Sequence, residues 1–259
     1  MDASLTVEAI KDGLQTRRFG QRFSVYGVVG STNDIARALA EEGAPEGTAV
    51  LAIEQTGGRG RQGRGWISPA GGLWLSIVLR PSLAHDAWPL IGFAAGAGAA
   101  AAVETVTGAK TQLKWPNDLM LNERKVGGVL VESSGDVAIA GVGINANVLP
   151  EALPEGVRAG ATTLLASLGR PVDLAALART VLEQVERFYD LVREGPEAVL
   201  DAWRARSFLT GRRVTVAGAE TFEGVAEGID RAGALLVRTA SGVRPVRAAD
   251  VSIREAGPA

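Results

Sequence analysis

A glycine–arginine segment at residues 57–66 is the stretch of this sequence best suited to binding an anion. It places Arg59, Arg61 and Arg64 within six positions, separates them by glycines and ends at Trp66. Arginine side chains bind phosphate or carboxylate oxygens through forked hydrogen bonds, and glycines let a backbone approach a ligand closely. Because the chain has a formal net charge of -2, these arginines are a local concentration of positive charge. The segment therefore predicts an anion-binding loop.

Two familiar phosphate-binding signatures do not describe this segment. A P-loop would end in Gly-Lys-Ser/Thr, which is missing here. A Gly-x-Gly-x-x-Gly pattern is formally present at Gly58, Gly60 and Gly63, but Gly65 and the following Trp-Ile-Ser-Pro do not open a helix. A flexible solvated loop and an RNA contact remain as alternatives to the anion-binding loop.

A second group of chemically capable residues begins at residues 114–118, which read Lys-Trp-Pro-Asn-Asp. The amide of Asn117 and the carboxylate of Asp118 are good ligands for a hydrated Mg²⁺. Lys125 stands just before an apolar run, where its ammonium group could reach a phosphate. Taken alone, an Asn-Asp turn beside a surface lysine explains these residues equally well.

A third group lies at residues 141–147, which read Gly-Val-Gly-Ile-Asn-Ala-Asn. Glycines within a strand indicate the close approach of a ligand or of another backbone. Asn145 could bind a phosphate or a metal ion, and a simple hairpin turn is the alternative explanation.

The three groups together supply cations, an Asp/Asn pair and no nucleophile. The chain has no cysteine and one histidine, His85, so thiolate chemistry is excluded and a Ser-His-Asp hydrolase is disfavoured. The set suits adenylation, in which a carboxylate attacks the α-phosphate of ATP and pyrophosphate leaves. Two unit charges about 4 Å apart repel by roughly 4 kcal/mol at an effective dielectric constant of about 20, so nearby cations are needed.

These motifs resemble those of the biotin protein ligases. The match includes Ser31-Thr32-Asn33 and Glu54-Gln55-Thr56. It is close over residues 30–148 and looser over residues 149–209. After residue 209 only the pattern of short strands resembles the family's small SH3-like domain. The resemblance implies that ATP and Mg²⁺ activate biotin to biotinyl-5'-AMP. The biotinyl group would then pass to a lysine of a biotin carboxyl carrier domain in a biotin-dependent carboxylase.

The resemblance also implies a binding role for each matching position. Biotin would be surrounded by Ser31, Thr32, Asn33, Gln55, Gly58, Arg59, Gly128, Gly141 and Ile144. The phosphates and the adenylate would be held by Arg61 and Arg64, and Trp66 would stack on adenine. Mg²⁺ and the pyrophosphate side would be handled by Asn117, Asp118 and Asn145, with Asp118 and Asn145 as the metal ligands.

Three of these residues are implied to be catalytic: Lys125, Arg61 and Asp118. Lys125 would bridge the biotin carboxylate and the α-phosphate and so stabilise the charge that develops between them. In the transfer step the acceptor lysine must be neutral, and Asp118 is a conceivable acceptor for its proton.

The surrounding sequence predicts an α+β fold. Strands are expected at residues 48–54, 72–79, 113–115 and 126–132, with a strand pair or a strand and loop at 136–148. Helices are expected from residue 31, at 90–106, at 173–192 and from 196 to about 208. Short β-favouring runs follow residue 211. We expect a mixed sheet with helices on one side in a catalytic domain, residues 1–209, and a small SH3-like barrel in residues 210–259.

Several other classes of protein are disfavoured. Only thirty residues precede Ser31, too few for the winged-helix domain of ligases that double as repressors, so DNA binding is not expected. The N-terminus does not read as a signal peptide, and the alanine-rich run at residues 90–106 is too weakly apolar to span a bilayer. A cytoplasmic protein without membrane association is therefore predicted.

Three rival functions remain. A lipoate ligase would have a related catalytic domain, but the glycine–arginine segment favours biotin, and an octanoyl transferase would need a cysteine. An RNA-binding module could use the same segment. A biotin-sensing regulator without catalysis is a further alternative, against which Lys125 and Asp118 argue. The sequence leaves the oligomeric state and the identity of the carrier protein open.

Overall fold

The computed structural model describes residues 5–218, 220–248 and 252–255. Its larger part is built on a seven-stranded sheet in the order β1-β2-β3-β7-β6-β5-β4. The strands are β1 (Phe23–Val29), β2 (Ala49–Gln55), β3 (Leu73–Leu79), β4 (Gln112–Lys114), β5 (Asp118–Leu121), β6 (Arg124–Ser134) and β7 (Val137–Ile144). Only β1 and β2 pair in parallel, and the other neighbours are antiparallel. The predicted mixed sheet is confirmed.

Helices surround this sheet. They are α1 (Val7–Lys11), α2 (Thr32–Glu41), α3 (Pro89–Thr107), α4 (Glu155–Arg158), α5 (Leu164–Leu168), α6 (Leu174–Glu194) and α7 (Glu197–Arg204). Short 3-10 turns lie at Arg61–Gly63, His85–Ala87 and Pro150–Ala152.

Helix α3 forms the centre of the main core. Among the described residues it is the one helix long and apolar enough to cross a membrane, but most of it is buried inside the protein. Its glycines allow close helix packing, since a Cβ atom at Gly98 would lie 2.8 Å from the Cα of Val185 in α6. The run predicted as a buried helix is therefore confirmed as a core helix.

Helices cover both faces of the sheet, so the prediction of helices on one side was wrong. Ala49 and Leu51 of β2 belong to the main core with α3 and α6, whereas Val50 between them packs with Ala36 and Ala40 of α2. The explanation is visible in the composition of β2 and β3. A strand that is apolar at consecutive positions is typical of a sheet buried on both faces.

Two strands of the sheet were not predicted. β1 is an edge strand with a partly exposed surface, and β5 is only four residues long. Asp118 therefore opens a strand instead of lying in a loop. β5 and β6 are joined by Asn122 and Glu123, both with positive φ, as a two-residue hairpin turn that matches the twist of its strands requires. Residues 136–148 contain one strand, β7, which pairs with β6, so of the two predicted alternatives the strand and loop is correct.

The C-terminal part is a five-stranded antiparallel sheet in the order β11-β10-β9-β8-β12. Its strands are β8 (Arg213–Ala217), β9 (Phe222–Ile229), β10 (Leu235–Thr239), β11 (Gly242–Val246) and β12 (Ser252–Glu255). This bears out the small β domain expected after residue 210. Within the described part of the chain β11 and β12 do not pair, so the sheet is open and not a closed barrel. Of the last β-favouring run expected from the sequence, residues 251–253, Val251 lies outside the described residues.

Candidate active site

A cavity of about 320 Å³ lies over the face of the sheet where β3, β7 and β6 run side by side. Its walls come from the start of α2, the glycine–arginine segment, residues 114–118 and residues 153–161. The predicted site residues that line it are Ser31, Thr32, Asn33, Gln55, Arg59, Arg61, Arg64, Trp66, Asn117, Asp118, Lys125, Gly128, Gly141 and Asn145. The structure thus brings the three sequence groups to one place.

Two predicted residues do not line the cavity. Ile144 is fully buried in the main core, on the face of β7 opposite to Gly143, and Gly143 lines the cavity instead. The alternation of side chains along a strand could have shown this, because adjacent residues point to opposite faces. Gly58 has a backbone role: its carbonyl accepts from the N–H of Trp66 at 2.9 Å, and a Cβ atom there would lie 2.4 Å from the Trp66 carbonyl oxygen.

Glycines form the floor of the cavity because other protein groups approach the sheet closely. A Cβ atom at Gly141 would lie 2.5 Å from Oδ1 of Asn33, and one at Gly143 would lie 2.9 Å from Nε1 of Trp66. The predicted close approach is thus made, in this structure, by the start of α2 and by the indole of Trp66.

The start of α2 carries a buried polar network into the cavity. The backbone N–H and hydroxyl of Thr32 both donate to Oε1 of Gln55, at 2.8 and 3.0 Å, and the Gln55 amide donates to Ser68 at 2.9 Å. The hydroxyl of Ser76 on β3 donates to Oδ1 of Asn33 at 2.6 Å. Ser31 occupies the N-cap position without a side-chain capping bond. Ser76 was missed from the sequence because it stands within an apolar run.

Arg59 ties the glycine–arginine segment to α2. Its guanidinium donates to both oxygens of Asp34, at 2.8 and 2.6 Å, and to Glu132 at 3.3 Å. The hydrogen bond from Arg59 holds the pKa of Asp34 below its usual value, and the same bond raises the pKa of Arg59. The positive charge of Arg59 is therefore balanced by two carboxylates of the protein itself, those of Asp34 and Glu132.

Arg61 and Arg64 are placed differently from Arg59. The Arg61 guanidinium donates to the backbone carbonyl of Ala248, which connects this segment to the C-terminal sheet. Burial, followed by the nearby charge of Arg64, lowers the pKa of Arg61, and Asp118 opposes this shift. The Arg64 side chain is exposed, and its Nε donates to the Arg61 carbonyl at 3.3 Å. These two arginines bring concentrated positive charge to the cavity wall.

Lys125 and Asp118 form an ion pair inside the cavity, with 2.6 Å between Nζ and Oδ1. The ammonium group also lies 4.9 Å from the ring centroid of Trp66, within the range of a cation–π contact. Trp66 in turn meets Trp74 edge to face, with their ring centroids 6.4 Å apart. The cavity therefore holds a cation between a carboxylate and an aromatic ring.

A β-bulge in β6 aims Lys125 at the cavity. Leu119 pairs with Gly127 and Met120 with Lys125, so Val126 is an extra residue in β6. A regular strand would put Lys125 and Gly128, three positions apart, on opposite faces. The bulge puts both on the cavity face, where a Cβ atom at Gly128 would lie 3.5 Å from Cε of Lys125. Bulges commonly redirect a side chain in this way next to active sites.

The two asparagines differ in how far their side chains are already bonded. Nδ2 of Asn117 donates to the carbonyl of Val129 at 2.7 Å, which fixes the loop before β5. Nδ2 of Asn145 donates to the carbonyl of Thr162 at 3.1 Å, but its buried Oδ1 has no hydrogen-bond partner among the described residues. A buried acceptor of this kind needs a partner, which a ligand or a water can supply.

The described residues contain no group of three His, Cys, Asp or Glu side chains that could hold a metal ion on its own. Two of the oxygen donors at the cavity are the Asp118 carboxylate and the amide oxygen of Asn145, which has no partner among the described residues. This pair fits a Mg²⁺ ion that takes most of its ligands from substrate phosphates and water.

Comparisons with known proteins identify the family of this chain. The model of the Biotin/lipoate A/B protein ligase family matches residues 25–148, and the model of the Biotin protein ligase C terminal domain matches residues 209–254. The chain is similar to the bifunctional ligase/repressor BirA of Bacillus subtilis (strain 168), with 34% identity over 259 residues. That match covers 96% of this chain and 79% of the relative.

A second relative and a solved structure are also similar to this chain over most of its length. The biotin–acetyl-CoA-carboxylase ligase of Paracoccus denitrificans is 35% identical over 233 residues, covering 85% of this chain and 96% of the relative. The solved structure of the biotin protein ligase from Aquifex aeolicus in complex with biotin and ATP superposes with a TM-score of 0.83 at 30% identity. The superposed region covers 91% of this chain and 100% of the Aquifex aeolicus chain. The matching family models, the common fold and these identities over most of each chain lead to one assignment: this chain belongs to the biotin protein ligase family.

Proposed function

We propose that this protein activates biotin with ATP to biotinyl-5'-AMP and transfers the biotinyl group to a lysine of a biotin carboxyl carrier domain. The observation that carries the proposal is the convergence of three sequence motifs on one cavity. These motifs supply a paired lysine and two arginines at the cavity wall, and the start of α2 adds a buried polar network. This is the set of groups that joining a carboxylate to a nucleotide phosphate requires.

The biotin end of the cavity is the polar network at the start of α2. The ureido ring of biotin offers one carbonyl acceptor and two N–H donors. Hydroxyl and amide groups of Ser31, Thr32 and Gln55 match that pattern, and Gly128 and Gly141 line the cavity beside them. Arg59 acts indirectly, since its bonds to Asp34 and Glu132 hold the loop that closes over the ring.

Lys125 is the residue on which the adenylation step depends. Its ammonium group bridges the biotin carboxylate and the α-phosphate oxygens, and so offsets the repulsion between two anions that must come into contact. In the unliganded protein Asp118 supplies the counter-charge at 2.6 Å and keeps the ammonium in place. In the transfer step Asp118 accepts the proton of the carrier lysine.

The nucleotide end is formed by Arg61, Arg64 and Trp66. The two guanidinium groups hold phosphate oxygens, and the indole stacks on adenine. Asp118 and Asn145 would be the protein ligands of a Mg²⁺ ion, which would supply positive charge to neutralise the pyrophosphate leaving group. Asn117 keeps the loop that bears Asp118 in position through its bond to Val129.

We propose further that the catalytic domain ends at residue 209 and the C-terminal domain begins at residue 210. The family match that begins at residue 209 and the start of β8 at Arg213 support this boundary. An ATP-dependent reaction on an intracellular carboxylase is consistent with a cytoplasmic location, without a role for DNA or membranes.

Pyrophosphate exchange tests the proposed function directly. We expect the purified protein to incorporate labelled pyrophosphate into ATP only when biotin is present, and to stop when EDTA removes divalent cations. Exchange with lipoate but not with biotin would contradict the proposal. Exchange without transfer of labelled biotin to any carrier domain would limit the proposal to the first step. Binding of RNA that weakens steeply with salt, without exchange, would favour the RNA-binding alternative.

A further inference from the structure

The C-terminal domain is hydrogen-bonded to Trp115, two residues before the Asn117-Asp118 pair. Nε1 of Trp115 donates to the backbone carbonyl of Gly233 at 2.9 Å, and the indole is 3% exposed. Gly233 lies in the turn between β9 and β10. This buried hydrogen bond therefore runs from the C-terminal sheet to the strand end that leads into the active site.

The turn that supplies the acceptor is held in a fixed shape. Oδ1 of Asp230 accepts from the N–H groups of Ala232 and Ala234, both at 2.9 Å. Gly233 has φ +81, and a Cβ atom there would lie 2.6 Å from the ring of Phe93 in α3. The turn is thus closed by its own aspartate and pressed against the core helix, so the Gly233 carbonyl is a rigid acceptor.

Two further contacts join the C-terminal part of the chain to the same β4–β5–β6 unit. The connecting residues 206–208 run along β4: Leu113 donates to the Arg206 carbonyl at 2.7 Å and accepts from the N–H of Phe208 at 2.9 Å. At the opposite end Arg212 forms a two-pronged pair with Glu123 in the β5–β6 turn, at 2.7 Å for each bond. The unit is therefore held at both ends.

The β4–β5–β6 unit carries the groups whose mutual distance matters most for adenylation. Asp118 lies three residues after Trp115, and Lys125 lies on the neighbouring strand, 2.6 Å away from it. A displacement of a reacting group by about 1 Å can slow an enzymatic step by about 100-fold. A contact that fixes the path of the chain at Trp115 consequently affects the chemistry without touching the reacting atoms.

We infer that Trp115 is a positioning residue, through which the C-terminal domain fixes the Asp118–Lys125 pair for the adenylation step. The inference rests on the proposed function and adds to it a defined task for the β9–β10 turn. It implies that loosening the hydrogen bond at Gly233 slows adenylate formation while leaving biotin affinity nearly unchanged, because the polar groups proposed to bind the ureido ring lie at the start of α2 and at the end of β2.

The test uses Trp115→Phe, which keeps an aromatic ring and removes the N–H donor. We expect kcat for biotin-dependent pyrophosphate exchange, expressed per biotin-binding site, to fall at least tenfold. KM for biotin should change less than twofold. The matched control is Trp88→Phe. Trp88 also donates its indole N–H to a backbone carbonyl, that of Leu83 at 3.2 Å, but it does not line the cavity. Equal kcat values in the two variants would overturn the inference.

A second variant separates positioning from direct contact with a ligand, since Trp115 itself borders the cavity. Asp230→Ala loosens the turn and leaves Trp115 intact, and Asp230 does not line the cavity. We expect the same pattern, a lower kcat with an unchanged KM for biotin. If Asp230→Ala changes the melting temperature but keeps a normal kcat, the hydrogen bond between Trp115 and Gly233 contributes to stability only and the inference is wrong. If wild-type protein shows no biotin-dependent exchange, the proposed function itself fails, which is a distinct outcome.

Discussion

The ion pair between Lys125 and Asp118 joins the two residues on which the proposed chemistry depends. Neither side chain is fully buried, so the pair is worth little to stability. Its value lies in orientation: the carboxylate and the Trp66 ring hold the ammonium where the biotin carboxylate and the α-phosphate must meet. A cation that is already oriented needs no reorganisation when charge develops.

Replacing the lysine therefore tests the charge and not the fold. We expect Lys125→Ala to lower the rate of adenylate formation by about 100- to 1,000-fold, the range found when a single charge-stabilising group is removed. Single-turnover formation of biotinyl-5'-AMP measures this rate. Lys110→Ala, at an exposed lysine between α3 and β4, is the control and should behave as wild type. A Lys125→Ala protein with wild-type rates would remove Lys125 from the mechanism.

The three arginines of residues 57–66 illustrate how far sequence reasoning reaches at the scale of single residues. Their spacing predicts an anion-binding loop, and the structure places this loop at the cavity wall. Their division of labour depends on partners that are remote in sequence: Asp34 and Glu132 for Arg59, and the Ala248 carbonyl for Arg61. No local pattern reveals such pairings.

At the scale of elements, β7 shows why glycine is placed on one face of a strand. Gly141 and Gly143 alternate with Val142 and Ile144, so one face is apolar and packs in the core while the other is bare. The bare face gives the start of α2 and the ring of Trp66 room to lie directly on the sheet. A single methyl group on that face would displace a side chain of the cavity.

Gly141→Ala is expected to weaken biotin binding by at least tenfold. The added Cβ atom would lie 2.5 Å from Oδ1 of Asn33 and would disturb its bond with Ser76. Isothermal titration with biotin gives the affinity. Gly27→Ala in β1 is the control, because a Cβ atom there has no neighbour within 4 Å. Equal affinities of both variants would show that the cavity can absorb the methyl group.

The elements predicted correctly share a strong local signal. Strands β2 and β3 are continuous apolar runs, α3 is long and apolar, and α6 repeats its apolar residues at helical spacing. The missed strands lack such a signal, since β1 is half exposed and β5 spans four residues. The bulge in β6 was also beyond prediction, because it depends on how two strands pair and not on the composition of either.

At the scale of the whole molecule, a buried carboxylate fastens the segment before β1 to the core. Glu186 of α6 is 6% exposed and accepts from the backbone N–H groups of Arg17 at 2.8 Å and Arg18 at 2.7 Å. The Arg18 side chain also pairs with Glu46 at 3.0 Å and with Asp190. This cluster joins the N-terminal residues, the loop before β2 and the longest helix.

Glu186→Gln is expected to lower the free energy of unfolding by about 1–3 kcal/mol, because one of the buried N–H donors loses its acceptor. Urea denaturation followed by circular dichroism measures the change. The control is Glu183→Gln, one turn earlier, whose exposed carboxylate accepts from Gln15 at 3.0 Å and should alter stability by less than about 0.5 kcal/mol. Indistinguishable denaturation midpoints for the two variants would contradict this account of the cluster. KM for biotin should stay unchanged in both.

The extra residue in β6 has a consequence for the length of the loop beside it. With a three-residue loop, Asn122 to Arg124, strands β5 and β6 could pair in a regular ladder without a bulge. In that alternative ladder the isopropyl group of Val126 would enter the nucleotide site, and the lysine would turn towards apolar neighbours that cannot solvate it. The two-residue hairpin therefore sets the register of β6 that turns Lys125 towards the active site. Relatives whose hairpin differs by one residue must aim their ammonium group by other means.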